Sequence, residues 1–100
     1  MNVISKISQI TAQDVADYIR ISDVTQDDLN TLNTLLTVAK EYICQYTGRT
    51  LEDLDTLSDV VIVVFILCQD MYDNRTLYVD SSNANKVVES ILGLHSVNLL

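Results

Sequence analysis

Few residues in this sequence have the types and spacing that catalysis or metal binding requires. The single histidine, His95, has no cysteine or serine motif beside it, although a nucleophile needs a base within hydrogen-bonding distance. Asp70 and Asp73 are three residues apart and would share a helix face, as in a carboxylate metal site. Such pairs at a helix end are usually solvated or paired with a base such as Arg75. We therefore expect no catalytic residue, no metal and no cofactor, and so no enzyme.

The two cysteines, Cys44 and Cys68, lie within apolar patterns of helical spacing and lack the CxxC spacing of a redox or zinc motif. We predict free thiols in the core, and a disulfide between two core helices is the alternative. Residues 1–10 contain one lysine and no long apolar run. They do not resemble a secretion signal, and a cytoplasmic origin is expected.

A polar cluster, Tyr72, Asp73, Asn74 and Arg75, follows the most hydrophobic segment of the chain. One interpretation is a helix C-terminal cap, in which the dipole favours Arg75 and Asn74 bonds the last carbonyls. The other is a subunit contact, in which the Arg75 guanidinium meets an acidic residue of a neighbouring copy. The two interpretations are compatible.

That hydrophobic segment has nine consecutive apolar residues, 60–68, and the other elements must bury it. It is far shorter than the roughly 20 residues that cross a bilayer, and we expect no membrane association. No second segment has the alternation of a partner strand. Six β-branched residues disfavour a helix by about 0.5 kcal/mol each, but burial returns about 1.5 kcal/mol or more apiece. The segment therefore predicts a central helix over 57–75, with Thr56 and Asp59 as an approximate capping box.

Other helix starts are indicated by a repeated pattern, in which a threonine that can cap a helix precedes an aspartate by three residues. The pattern occurs as Thr11 with Asp14, Thr25 with Asp28, and Thr50 with Asp53. The first two pairs predict helices over 12–20 and 26–47, and the third predicts a short helical turn near 51–54. Gly48 supplies the left-handed residue that ends the second of these helices.

A last helix is predicted over 84–93, because Val87, Val88, Ile91 and Leu92 form an apolar face before Gly93 weakens or ends it. The fold class is therefore all-α. We predict a single domain over 1–100, built as a compact bundle of about four helices.

Both ends of the chain lack helical periodicity. Residues 1–9 are predicted to form a flexible arm, and residues 94–100 an apolar tail. Because exposed apolar ends often dock on a partner, Val97, Leu99 and Leu100 are candidate docking residues.

The chain is acidic, with six Lys plus Arg against fourteen Asp plus Glu and a formal charge of −8 over 100 residues. The basic residues are scattered, whereas phosphate recognition needs clustered positive charge. We therefore expect no sequence-specific binding of nucleic acid. The hydrophobic content of 48% also excludes a disordered chain.

Several segments in sequence order resemble the small helical head-tail connector, or adaptor, proteins of tailed bacteriophages and prophages. They are ITAQDVADYIRISDVTQDDL (10–29), AKEYICQYTGRTLEDL (39–54), MYDNR (71–75) and NKVVESIL (85–92). Within these segments, Tyr72, Asn74 and Arg75 match the family's pattern at the end of the central helix, and Gly48 matches its helix-terminating glycine. The uncharged tail departs from the more polar tails of the family.

The resemblance implies a structural protein of the virion, located at the head-tail junction and made in the bacterial host cytoplasm. Its protomers would assemble into a homo-oligomeric ring, a dodecamer being one such ring, below the portal protein. The ring would extend the DNA channel and dock tail or stopper proteins during virion assembly and DNA packaging. An acidic ring would let the duplex slide, because it repels phosphate.

The main alternative is a small acidic helical regulator that binds a host protein, as a mimic of nucleic-acid charge. A mimic should concentrate its acidic residues on one surface, whereas here they are spread from Asp14 to Glu89. Candidates for apolar surface left over after the core is filled are Tyr18, Tyr78 and Val79, together with the two terminal leucines.

Overall fold

A computed structural model describes residues 4–80 and 85–97. Its elements are a 3₁₀ turn and five helices, α1 to α5. In chain order they are Ile7–Gln9 (3₁₀), Ala12–Ile19 (α1), Gln26–Thr47 (α2), Leu51–Leu54 (α3), Val60–Asn74 (α4) and Lys86–His95 (α5). No strand occurs in the described part of the chain. The all-α prediction is confirmed, with four helices of seven residues or more.

The centre of the bundle is α4, the helix predicted from the run of apolar residues. Eight of its residues are buried, and it packs against α1, α2, α5 and the 3₁₀ turn. Burial on several sides outweighs the poor helix propensity of its valines and isoleucines. The helix begins at Val60 and ends at Asn74, slightly inside the predicted range of 57–75.

The predicted caps of α1 and α2 are confirmed as full capping boxes. The Thr11 hydroxyl accepts from the Asp14 N–H at 3.2 Å, and the Thr11 N–H donates to the Asp14 carboxylate at 2.9 Å. Thr25 and Asp28 repeat this arrangement at 3.1 and 3.0 Å. Each box satisfies amide groups that the first helical turn leaves without partners.

The short helix α3 has its predicted cap, because the Thr50 hydroxyl accepts from the Asp53 N–H at 3.2 Å. The capping box predicted for α4 is wrong. The Thr56 hydroxyl donates to the Asp53 carbonyl at 2.7 Å, so it bonds to the end of α3 and does not cap α4. Asp59 is the N-cap of α4, but it has helical backbone angles and makes no side-chain capping bond.

The N-terminal segment differs from the predicted flexible arm over residues 4–9. Ile7 is fully buried in the core, and the Ser8 N–H donates to the Asp55 carboxylate at 3.0 Å. A single buried isoleucine produces no periodic pattern in the sequence. Its burial depends on packing against α3 and α4, so the sequence did not predict it. Residues 1–3 lie outside the described part.

The last helix, α5, begins after Asn85, whose side chain accepts from the Val87 N–H at 2.8 Å. The helix continues two residues beyond Gly93 to His95, so the predicted end at Gly93 is wrong. A glycine is tolerated this close to a helix terminus. His95 lies in the last turn, where the helix dipole favours a basic residue. Residues 94 and 95 therefore belong to α5 and not to the tail.

No helix in residues 4–80 and 85–97 has both the length and the apolar character to cross a membrane.

Candidate functional site

The polar cluster at the end of α4 caps that helix through the backbone of Arg75. Arg75 has the left-handed helical conformation, with φ 58° and ψ 41°, and its N–H donates to the carbonyl oxygens of Met71 and Tyr72. The Thr76 N–H also donates to the Met71 carbonyl, at 3.0 Å, as in a Schellman motif. The predicted cap is present, but backbone groups form it. Among the described residues, no bond joins the Asn74 side chain to the last carbonyls.

The three side chains that match the connector pattern have different surroundings. Tyr72 is half-buried and packs against the core, whereas Asn74 lines a cavity between helices. The Arg75 side chain is exposed and makes no hydrogen bond or ion pair with any residue in 4–80 or 85–97. The structure therefore does not bring the three side chains together into one site, although Asn74 and Arg75 are both exposed.

Gly48 is the C-cap of α2, as predicted. Its φ of 71° lies in the left-handed region, and its N–H donates to the Cys44 carbonyl at 2.9 Å. It follows Thr47, whose carbonyl accepts from the Val97 N–H. Nearby, His95 bonds Asp59 at the start of α4. Arg75 lies at the other end of α4, which is about 22 Å long at 1.5 Å per residue. Gly48 thus shapes the fold and does not belong to a shared site with Arg75.

The C-terminal end of α5 is held by bonds that the sequence analysis did not anticipate. Arg49 Nε donates to the His95 carbonyl at 2.6 Å, and His95 Nε2 lies 2.8 Å from the Asp59 carboxylate. The Val97 N–H donates to the Thr47 carbonyl at 2.8 Å. These partners are 36 to 50 residues apart, so no local pattern could reveal them.

The bond to Thr47 fixes the backbone of Val97, which is one of the three candidate docking residues. The Val97 side chain is 40% exposed. The other two candidates, Leu99 and Leu100, lie outside the described residues.

A cavity of about 260 Å³ lies between α2, α4, α5 and the segment 76–80. Its apolar lining includes Leu67, Met71 and Val88, which are all buried. Its aromatic lining includes Tyr42 and Tyr46, whose ring centroids are 6.0 Å apart. Because the lining comes from three helices that are distant in sequence, the sequence analysis did not anticipate the cavity.

Carboxylates also line this cavity, among them Asp70 from α4 and Glu89 from α5. Burial raises the pKa of Asp70, and the neighbouring Asp73 raises it further. Burial likewise raises the pKa of Tyr42, and Tyr46, once ionised, and Glu89 act in the same direction. Both shifts indicate surroundings that disfavour further negative charge.

Both cysteines are free thiols, as predicted. Cys68 is buried, and burial raises its pKa to about 12, against a smaller lowering by Lys40. Cys44 is half-buried, and burial, with Glu41, raises its pKa also. Since the thiolate is the nucleophile, a raised pKa makes both thiols less reactive. Within the described residues, no group of three or more His, Cys, Asp or Glu side chains could hold a metal ion.

The candidates for leftover apolar surface differ in exposure. Tyr78 is 62% exposed and Val79 is half-buried. Tyr18 is partly exposed, but its ring packs against Phe65 with centroids 5.0 Å apart. Other large exposed apolar side chains are Tyr46, Leu51, Ile62, Leu77, Val87, Leu94 and Val97.

Comparisons of this chain with protein-family models, with curated proteins and with solved structures found no match.

Proposed function

We propose that this protein is a structural head-tail connector of a tailed phage or prophage, and not an enzyme. In this proposal, copies of the chain assemble as a homo-oligomeric ring below the portal protein. The ring extends the DNA channel and docks tail or stopper proteins. The proposal starts from the ordered sequence resemblance over residues 10–92 and is supported by the helical fold.

The observation that carries the proposal is the exposed side chain of Arg75 at the C-cap of α4. A residue with a Cβ is disfavoured in the left-handed region by about 1–2 kcal/mol, and glycine usually occupies this position after a helix. Here an arginine occupies it, with an exposed side chain that has no partner in the described part of its own chain. The left-handed backbone serves the cap of α4, but the guanidinium has no partner within the described part of the protomer. An exposed arginine without such a partner supports a charge-assisted contact with a neighbouring copy.

The surface of the protomer also suits assembly. Large apolar side chains are exposed on α2, α4 and α5, including Tyr46, Ile62 and Val87. A ring forms when one surface of a protomer binds a different surface of the next copy and the rotation closes. Acidic residues such as Asp17, exposed on α1, would give the Arg75 guanidinium a charge-assisted partner on a neighbouring copy.

The test is native mass spectrometry of the purified protein over a concentration series, with negative-stain images of any large species. We expect closed rings of one stoichiometry that become dominant as concentration rises. A monomer at every concentration, also after the portal protein of the same phage is added, would contradict the connector proposal. A stable one-to-one complex with a host protein in its place would favour the acidic regulator.

A further inference from the structure

We propose that the cavity between α2, α4 and α5 binds the side chain of an arginine that a partner protein presents. The cavity is formed within a single chain, so this inference goes beyond the connector proposal and does not require a ring.

The size of the cavity suits one side chain. Pockets for drug-sized ligands have volumes of about 300–1,000 Å³, whereas this cavity has about 260 Å³. Its buried apolar lining, Leu67, Met71 and Val88, can pack against the methylene stem of a long side chain.

The aromatic wall favours a cation, and a guanidinium in particular. Tyr42 and Tyr46 lie side by side on α2 with ring planes inclined at 45°, and Tyr78 contributes a third ring to the lining. A cation within about 6 Å of such a ring is attracted by its quadrupole. The planar guanidinium of arginine can also stack on a tyrosine ring, which a lysine ammonium cannot do.

The charges of the lining have one sign. Asp70 and Glu89 reach the cavity from different helices, and no Lys, Arg or His is among the described residues that line it. The raised pKa of Asp70, caused by burial and by Asp73, indicates that a cation placed here would relieve unfavourable negative charge. A guanidinium offers five N–H donors in a fork that can bond carboxylates on two sides.

The surface around the cavity suits contact with a protein, which would supply the cation as an arginine side chain. Tyr78 is an exposed residue of the lining, and the exposed Leu77 and Val87 are next to lining residues in the chain. Protein interfaces commonly place an arginine or aromatic anchor in a central pocket, surrounded by contacts that exclude water. A metal ion is the poorer occupant, because the described residues offer no cluster of three metal-binding side chains.

The test is an NMR titration of the full-length, ¹⁵N-labelled protein with N-acetyl-arginine amide at constant ionic strength. We expect saturable shifts of amide signals in residues 70–79 and 85–89. N-acetyl-citrulline amide has the same shape without the charge and should cause no saturable shift. N-acetyl-lysine amide should bind several-fold more weakly than the arginine probe.

Matched double variants distinguish binding in the cavity from attraction by the overall negative charge of the protein. Asp70→Asn with Glu89→Gln should raise the Kd of the arginine probe about tenfold or more, since each tenfold corresponds to about 1.4 kcal/mol. Glu52→Gln with Asp53→Asn makes the same charge change on α3, away from the cavity lining, and should leave the Kd unchanged. The dispersion of the amide spectrum checks that both variants are folded.

Three results would overturn the inference. One is no saturable shift with the arginine probe, and another is equal binding of the citrulline or lysine probe. The third is an equal loss of binding in the two double variants, which would assign any attraction to net charge.

Discussion

Among single residues, the two glycines differ in backbone conformation: Gly48 is left-handed, whereas Gly93 is helical. Gly48 has a φ of 71° at the end of α2, where a Cβ is disfavoured by about 1–2 kcal/mol. Gly93 lies within α5, and a Cβ built on it would meet no atom within 4 Å. A glycine in such a helical position destabilises by about 0.5–1 kcal/mol relative to alanine.

We therefore predict that Gly48→Ala and Gly93→Ala change stability in opposite directions. Gly48→Ala should lower the free energy of unfolding by about 1–2 kcal/mol, and Gly93→Ala should raise it by about 0.5 kcal/mol. Thermal melts followed by circular dichroism measure both, since 1 kcal/mol corresponds to about 4–8 °C in a domain of this size. Changes of the same sign would show that backbone conformation does not govern these positions.

At the scale of elements, Asp55 joins the N-terminal 3₁₀ turn to the end of α3. Hydrogen bonds from the Ser8 side chain and backbone hold the pKa of Asp55 below its ordinary value, and Lys6 and Lys40 act in the same direction. A carboxyl whose pKa is lower in the folded state stabilises the fold above its unfolded pKa of about 3.9. This stabilisation is lost as pH falls through the folded pKa.

The predicted consequence concerns Asp55→Ala. At pH 7 this variant should be less stable than the wild type and should exchange the amide protons of residues 7–10 faster. The difference should shrink as pH falls below about 4, because the wild-type carboxyl becomes protonated. Urea unfolding at several pH values measures it, with Asp53→Ala as control, since Asp53 makes no side-chain bond to the 3₁₀ turn. A deficit that is constant with pH would contradict the role of the carboxylate.

The elements that the sequence predicted correctly are those whose signals lie close together in the chain. The Thr11 capping box closes within three residues, and α4 follows from an apolar run that needs only to be buried. Thr56 carried the same local signal, but its hydroxyl had a competing acceptor in the preceding turn. Whether a threonine hydroxyl accepts from an N–H of the following helix or donates to a carbonyl of the preceding one depends on how α3 and α4 meet.

The features that the sequence did not predict depend on contacts between distant segments. Ile7 is buried because α3 and α4 are nearby, and Arg49 bonds a carbonyl 46 residues away. The cavity takes its lining from α2, α4 and α5. Arg75 was anticipated as part of a cap. Its left-handed backbone, and the lack of a partner for its side chain within 4–80 and 85–97, became visible only in the folded chain.

For the assembled protein, the connector proposal requires that Arg75 makes its contact between copies and not within one copy. Arg20 provides an internal comparison, because it also is an exposed arginine in the left-handed conformation at a helix C-cap, with φ 67°. Glycine suits both positions. Arg75→Gly and Arg20→Gly each remove one guanidinium while keeping the backbone cap, so neither should unfold the protomer.

The most direct measurement is therefore the assembly state of these two variants beside the wild type, by sedimentation velocity at matched concentrations. We expect Arg75→Gly to shift the population from rings to protomers, with a melting temperature equal to or above that of the wild type. Arg20→Gly should form the same rings that the connector proposal expects of the wild type. Rings that persist in Arg75→Gly, or that are lost equally in both variants, would contradict the claim that Arg75 joins neighbouring copies.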